Sequence, residues 1–148
     1  MRRLLALLAL ALLLVPGAAR AQARPGGEPL EAFVGRVARL WEAEDAGGVA
    51  ALAPAGGRMV LEVGGEAAGP VQERNAAAAL RALFADHDGV SIRATRVTLS
   101  GGEPPQGFGE LTWVSRSRGV TVPQTSTVYL GVVREAGGWR IRELRVLP

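Results

Sequence analysis

The chain ends in the segment Gly138-Trp139-Arg140-Ile141-Arg142-Glu143-Leu144-Arg145-Val146-Leu147-Pro148, which starts at a glycine turn and stops at a proline. Trp139 and Ile141 lie two positions apart, so a β-strand places both side chains on one face. Leu144 and Val146 are also two apart, but they follow in the opposite phase. The segment therefore predicts a closing strand that needs a long hairpin partner and a second layer over its apolar side.

The change of phase in this closing strand leaves two interpretations open. Either the strand is buried on both faces at different points, or a β-bulge near Arg142-Glu143 re-aims its second half. Without a bulge, Glu143 shares a face with Trp139 and Ile141, where an acid beside an indole is a candidate polar group of a cavity. The alternative role for Glu143 is a cross-strand ion pair, which contributes little when exposed, with an arginine such as Arg116, Arg134 or Arg140.

The first 21 residues have the pattern of a secretory signal peptide. Arg2-Arg3 precedes an uninterrupted apolar run over residues 4–15, and small-x-small sites allow cleavage after Ala21 or Ala23. The run is too short to span a bilayer comfortably, and the chain has no cysteine for lipid attachment. We expect an exported protein, periplasmic or secreted, with no stable membrane span after cleavage.

Removal of the signal peptide changes the charge of the chain. The full sequence has 17 basic and 14 acidic residues, and three of the arginines precede position 22, which leaves 14 of each sign. A nucleic-acid partner inferred from net charge would rest on the cleaved residues, so none is predicted. The chain lacks lysine and is rich in Ala, Gly and Arg, which is typical of a GC-rich bacterial genome. Because it also lacks cysteine, the core itself must supply the stability.

Residues 22–28 read as a flexible lead-in and residues 29–148 as one domain, whose first half is helical. The apolar positions from Leu30 to Trp41 follow the i, i+3, i+4, i+7 spacing of an amphipathic helix. Asp45 is placed as the N-cap of the next helix. The predicted elements of this half are a helix from Pro29 to about Glu44, a helix over Ala46–Ala53, a strand over Arg58–Val63, a loop over Gly64–Gly69 and a helix from Pro70 to about Asp86.

From Gly89 onward the apolar period changes from helical to two, which indicates strands. Glycine-rich joints separate the runs as hairpin turns do. The sequence therefore predicts an α+β fold, in which three N-terminal helices pack on one face of a strongly curved, mostly antiparallel sheet. The four predicted long strands are Val90–Ser100, Gly107–Arg118, Thr125–Glu135 and Trp139–Leu147.

This order of elements resembles the nuclear transport factor 2-like superfamily, also called ketosteroid isomerase-like or cystatin-like. The resemblance rests on Leu40-Trp41 through Asp45, on Leu52-Ala53-Pro54, on the Gly69–Phe84 segment and on the closing Gly138–Ile141. The ending Ile141–Val146 also looks like that of small exported bacterial members without a described function. The resemblance implies a cone-shaped roll with an apolar cavity between helices and sheet, and a homodimer through the outer sheet face.

The isomerase-like members of this superfamily use a first-strand carboxylate as a proton shuttle, paired with a tyrosine or a protonated acid in an apolar pocket. Glu62 is the nearest matching position here, and Glu143, Tyr129 and His87 are the other candidate groups. Glu62 alternates with the apolar residues of its strand, so it points outward if they line the interior. The alternative to a catalytic role for His87 is an interaction with the free carbonyl groups at the end of a helix. We therefore expect a non-catalytic domain rather than the alternative, a small isomerase, cyclase or dehydratase.

The sequence favours a binding function for this domain. The three adjacent residues Asp86-His87-Asp88 are poorly placed to bind a metal ion unless other parts of the chain supply further ligands. No metal or cofactor is therefore predicted. The arginines of the second half form either a solvated face or a docking surface for an acidic partner. A small apolar ligand is expected between the first helix and the sheet, in a pocket lined by Phe33, Val37, Trp41, Leu80, Phe84, Trp139 and Ile141.

Overall fold

The structure is a computed structural model that describes residues 27–148. The predicted signal peptide and residues 22–26 of the lead-in lie outside the described residues. The elements are α1 (Leu30–Glu42), α2 (Ala46–Ala50), β1 (Arg58–Glu62), β2 (Gly69–Gln72), α3 (Glu73–Asp86), β3 (His87–Gly101), β4 (Gln106–Ser117), β5 (Gln124–Glu135) and β6 (Gly138–Leu147).

The six strands form one curved sheet in the order β2-β1-β6-β5-β4-β3. All neighbouring pairs are antiparallel except β1 and β6, which run parallel. The three helices cover one face, here called the inner face, and the opposite face is the outer face. The predicted α+β fold is confirmed, because the chain builds its helical layer mainly before the long strands and then closes the sheet with hairpins.

The first helices and the short hairpin differ from the sequence prediction in their limits. β2 was predicted as loop and helix, because Pro70 reads as the first residue of a helix. Pro70 instead lies in the outermost strand, where a proline removes no hydrogen bond that the sheet needs, and α3 begins at Glu73. α2 ends at Ala50 rather than Ala53.

Helix α1 is held against the sheet by one apolar stripe. Its buried residues are Leu30, Phe33, Val34, Val37 and Trp41, and each contributes about 1.5–3 kcal/mol when fully removed from water. The stripe approaches β4 closely because two of the inward positions there are glycines. A Cβ added to Gly107 would lie 2.5 Å from Leu30 Cδ2, and one added to Gly109 would lie 2.9 Å from Val34 Cγ2.

Strand β6 contains a β-bulge, which was one of the two interpretations that its sequence allowed. Gly131 pairs with Glu143 and Val132 pairs with Ile141, so Arg142 has no partner in β5. Trp139 and Ile141 before the bulge and Leu144 after it are all buried on the inner face. The bulge interpretation is thus confirmed, and it turns Glu143 to the outer face.

Strand β3 forms one edge of the sheet and is bulged at regular intervals. Register shifts against β4 leave Val90, Thr95 and Ser100 unpaired. Only three of its residues, His87, Ile92 and Val97, are partly buried, and the rest of the strand is exposed. Bulges bend and twist a strand, so this edge curves over the end of the helical layer and is unsuited to pairing with another chain.

Candidate functional site

A pocket of about 60 Å³ opens between the helices and the sheet where α1, α3 and the start of β3 meet. Its walls are aromatic and apolar. Two glutamates form part of its rim: Glu42 lies in the last turn of α1, and Glu44 lies just after it. The lining residues are Trp41, Glu42, Glu44, Phe84, Gly89, Val90, Ser91, Ile92 and Trp113.

Three aromatic rings form the wall of this pocket. The Trp41 ring stands edge-to-face against Phe84, with centroids 5.1 Å apart, and against Trp113, with centroids 5.5 Å apart. Such T-shaped pairs are the favoured packing of aromatic quadrupoles. The rings come from α1, α3 and β4, so the pocket exists only where these elements converge.

Two unpartnered polar atoms lie at or beside this pocket. Among residues 27–148, Trp41 Nε1 and Ser115 Oγ are the buried side-chain atoms without a hydrogen-bond partner. Trp41 lines the pocket, and Ser115 pairs across the sheet with Gly89, which also lines it. A buried polar atom without a partner costs about 1–3 kcal/mol, so its position is informative about function.

The seven residues predicted to line a ligand pocket divide between this pocket and the core. Trp41 and Phe84 line the pocket. The structure packs Phe33, Val37, Leu80, Trp139 and Ile141 into the closed hydrophobic core, where each is at most 3% exposed. The space between α1 and the middle of the sheet is filled by side chains, and the opening lies at one end of it.

Glu62 and Glu143, two of the candidate catalytic acids, lie on the outer face and share one arginine. Val60 pairs with Glu143 and Glu62 pairs with Arg145 across the parallel β1–β6 ladder. The Arg145 guanidinium contacts Glu62 Oε2 at 3.3 Å and donates to Glu143 Oε1. As expected from the alternation with Met59 and Leu61, Glu62 points away from the helices. Neither acid lines the aromatic pocket.

Tyr129 lies beside this ion-pair group on the outer face. It pairs with Arg145 on one side and with Glu110 on the other. Burial raises the pKa of the Tyr129 phenol above its ordinary value, and the negative charge of Glu143 adds to the effect. Its ring lies 5.9 Å from that of Phe108, which is 37% exposed.

His87 lies at the junction of α3 and β3, away from the other candidates. Its Nδ1 is 3.0 Å from the Leu83 carbonyl oxygen in the last turn of α3, and its ring lies 5.5 Å from the Trp113 ring. This geometry matches the predicted interaction with a helix end. Within residues 27–148 no group of three potential ligands could hold a metal ion, and no helix has the length and hydropathy to cross a membrane.

Sequence reasoning did not identify most of the pocket wall. Trp113 lies two positions after Leu111, so strand alternation indicates its inward direction, but not that it lines a pocket. Glu42, the last residue of α1, contributes to the rim. The segment from Gly89 to Ile92 reaches the pocket through the bulge at Val90, for which the sequence carries no clear signal beyond the glycine.

The helical layer over a curved six-stranded sheet, with a pocket between the layers at one end, is the nuclear transport factor 2-like or cystatin-like fold. Solved structures share this fold at low sequence identity, which establishes the fold alone. A ketosteroid isomerase-like protein from Erwinia carotovora atroseptica has a TM-score of 0.61 at 14% identity, covering 79% of this chain and 91% of that chain.

Two further solved structures give the same result. A DUF4783 family protein from Bacteroides uniformis has a TM-score of 0.60 at 13% identity, covering 74% of this chain and 91% of that chain. A nuclear transport factor 2-like protein with a cystatin-like fold from Novosphingobium aromaticivorans has a TM-score of 0.52 at 22% identity, covering 78% and 77%. No family model and no curated protein sequence matches the chain.

Proposed function

We propose that this protein is an exported, non-catalytic domain that binds a small, largely apolar ligand in the pocket between Trp41, Phe84 and Trp113. The observation that carries the proposal is the aromatic wall of this pocket, with the Trp41 indole N–H buried and without an acceptor among the described residues. Ligand pockets typically combine apolar and aromatic walls with a few polar groups that fix orientation.

The placement of the titratable groups supports binding over catalysis. Glu62, Glu143 and Tyr129 lie on the outer face, and His87 contacts the end of α3. A general acid or base must lie within hydrogen-bond reach of the substrate proton that it moves. None of these four candidates lines the aromatic pocket, and the two carboxylates that do, Glu42 and Glu44, lie exposed at its rim.

The pocket is small, which limits the size of the ligand. An engineered cavity of about 150 Å³ is large enough to bind benzene, whereas this pocket measures about 60 Å³. It therefore accommodates a molecule smaller than benzene or one end of a longer ligand that leaves through the rim. Toluene and 1-butanol are suitable probes because both present a narrow apolar end.

The test is a titration of the ¹⁵N-labelled protein followed through its three indole N–H resonances. We expect saturable shifts for Trp41 and Trp113 and none for Trp139, which lies elsewhere in the core. Replacement of Gly89 by Leu places a side chain toward Trp113, whose Nε1 lies 3.7 Å from an added Cβ, and should abolish the response. Gly69→Leu projects into open space and is the matched control. Equal responses of all three tryptophans in both variants would contradict a ligand site at this pocket.

We further propose a homodimer through the outer face. Phe108 and Tyr129 form a partly exposed aromatic pair at its centre, and ion pairs of Arg145 and Arg96 flank them on either side. Aromatic centres with polar rims are typical of protein interfaces. Sedimentation at tens of micromolar should detect a dimer that Phe108→Glu dissociates, and a monomer for the unaltered protein would overturn this assembly.

A further inference from the structure

The mouth of the aromatic pocket is negatively charged. Glu42 is the last residue of α1 and Glu44 follows two positions later, and both line the pocket with exposed side chains. The residues that line the pocket include no arginine and no histidine. The end of α1 adds to the negative potential, because a helix carries partial negative charge at its last carbonyl groups. A ligand that extends out of the pocket therefore meets an acidic rim.

The ion pairs of the domain leave this rim without a counter-charge. Among residues 27–148, no ion pair includes Glu42 or Glu44. Arg39 lies about one turn earlier on α1, but its Nη1 would lie 3.7 Å from a Cβ added to Gly35, so the side chain extends toward the start of the helix. The closest arginine along α1 thus points away from the two carboxylates.

The arginines that follow the lining residues of the sheet belong to the other face. Arg93 comes directly after Ile92 and pairs with Thr112, which lies out of phase with the buried Trp113. Arg116 is also out of phase with Trp113, because strand residues alternate between the two faces. Both side chains are therefore directed away from the helices and from the pocket.

The interior of the pocket has the opposite polarity to its rim. Trp41 is 1% exposed, and its Nε1 has no hydrogen-bond partner among the described residues. An indole N–H is a donor only, so it disfavours a cation beside it. The exposed carboxylates at the rim are acceptors only, and they favour one. This gradient orients a ligand with its uncharged end inside and a positive group outside.

We propose that the pocket takes the alkyl end of a primary alkylammonium compound, whose ammonium group lies at Glu42 and Glu44; this inference rests on the ligand site proposed above. A pocket of about 60 Å³ holds only the end of the chain, which leaves the charged group at the rim. The ammonium group has three donors and no acceptor, which matches two carboxylates. The same two charges repel an anionic head group.

The backbone at Glu44 provides a variant that removes a rim carboxylate and preserves the turn. Glu44 has a φ of 54°. Its N–H donates to the Trp41 carbonyl oxygen and that of Asp45 donates to the Leu40 carbonyl oxygen, each at 2.9 Å, which is the Schellman pattern that ends a helix. Glycine adopts this conformation without steric cost, so Glu44→Gly should fold at least as well as the unaltered protein.

The experiment compares butylammonium, 1-butanol and butyrate, which differ mainly in the charge of the head group. The ¹⁵N-labelled protein is titrated with each at neutral pH and constant ionic strength, and the indole N–H resonances of Trp41 and Trp113 report occupancy. Because an exposed ion pair contributes little, we expect butylammonium to bind about threefold to tenfold more tightly than 1-butanol. Butyrate should bind more weakly than either.

Variants of the rim test the source of this preference. In E42Q/E44Q, butylammonium and 1-butanol should bind within about twofold of each other, because both carboxylates are gone. Glu44→Gly should lose part of the preference. The control variant E31Q/E66Q removes the same charge from exposed acids that do not line the pocket, and it should keep the preference of the unaltered protein.

The outcomes separate this inference from the proposed ligand site. Saturable binding of 1-butanol, with butylammonium no tighter, would overturn the inference and leave the site standing. No saturable shift with any of the three probes would contradict the site itself. An equal loss of preference in E42Q/E44Q and E31Q/E66Q would reduce the effect to net charge and overturn the role of the rim, as would tightest binding of butyrate.

Discussion

The Trp139 indole N–H donates a hydrogen bond of 3.0 Å to the carbonyl oxygen of Glu28, which lies 111 residues earlier in the chain. This bond ties the segment before α1 to the closing strand. The Glu28 side chain adds a second attachment, because its carboxylate accepts from Arg36 at 2.7 Å and raises the pKa of that guanidinium. The end of the predicted flexible lead-in is thus fixed to the domain.

We expect Trp139→Phe to lower the free energy of unfolding by about 1–3 kcal/mol, because the Glu28 carbonyl loses its partner. Trp41→Phe is the matched control, since it removes the same ring volume but an indole N–H that has no acceptor among the described residues. Urea unfolding of both variants gives the comparison. An equal loss in the two variants would show that the hydrogen bond contributes nothing beyond ring packing.

Deletion of Arg142 should be tolerated better than deletion of Arg140. Without Arg142 the strand alternates regularly, with Ile141 and Leu144 still inward. Without Arg140, either Trp139 or Ile141 must turn outward. Since full burial of one such side chain is worth about 1.5–3 kcal/mol, the first variant should be more stable by at least that amount. Thermal unfolding measures the difference, and the reverse order of stability would contradict the assigned bulge.

Gly109→Ala should destabilise the protein by about 1–3 kcal/mol, because the added methyl group would lie 2.9 Å from Val34 Cγ2 and push α1 off the sheet. Gly69→Ala meets no atom within 4 Å and serves as the control on a strand of the same sheet. Urea unfolding at equal protein concentration distinguishes them. A neutral Gly109→Ala would mean that α1 can shift without loss of packing.

The Tyr129 phenol should ionise above the ordinary tyrosine pKa of 10.0 in the folded protein. The chain has one tyrosine, so its near-ultraviolet tyrosinate absorbance reports this group alone. Because the folded state holds the proton more tightly than the unfolded state, the free energy of unfolding should fall as the pH rises above about 10. Glu143→Gln should move the titration to lower pH, and Tyr129→Phe should remove this contribution. A titration midpoint at or below 10.0 in the folded protein would contradict the raised pKa.

The local patterns of the chain predicted most of the fold. The apolar stripe from Leu30 to Trp41 and the period-two runs after Gly89 follow from helix and strand geometry, which repeats over a few residues. Pro70 was misassigned because a proline suits both the first turn of a helix and an edge strand, and only the position of β2 in the sheet distinguishes these.

The candidate site was less accessible to sequence reasoning. A pocket is the volume that packed side chains leave unfilled. The same type of aromatic residue can fill the hydrophobic core or line the wall of a pocket. Trp41 and Trp139 carry the same indole, yet the first lines an opening and the second packs in the core with its N–H bonded to Glu28. Their difference arises from contacts between residues far apart in the chain.

By itself, the sequence determined the α+β layering and the alternation that separates Glu62 from Met59 and Leu61, because both depend on local periodicity. Only the tertiary structure decided that Arg142 is the bulged residue of the closing strand, because a bulge is defined against its partner strand. That single unpaired residue turns Glu143 outward to Arg145. The physical reason is register, since the face that a strand residue occupies depends on what lies opposite it.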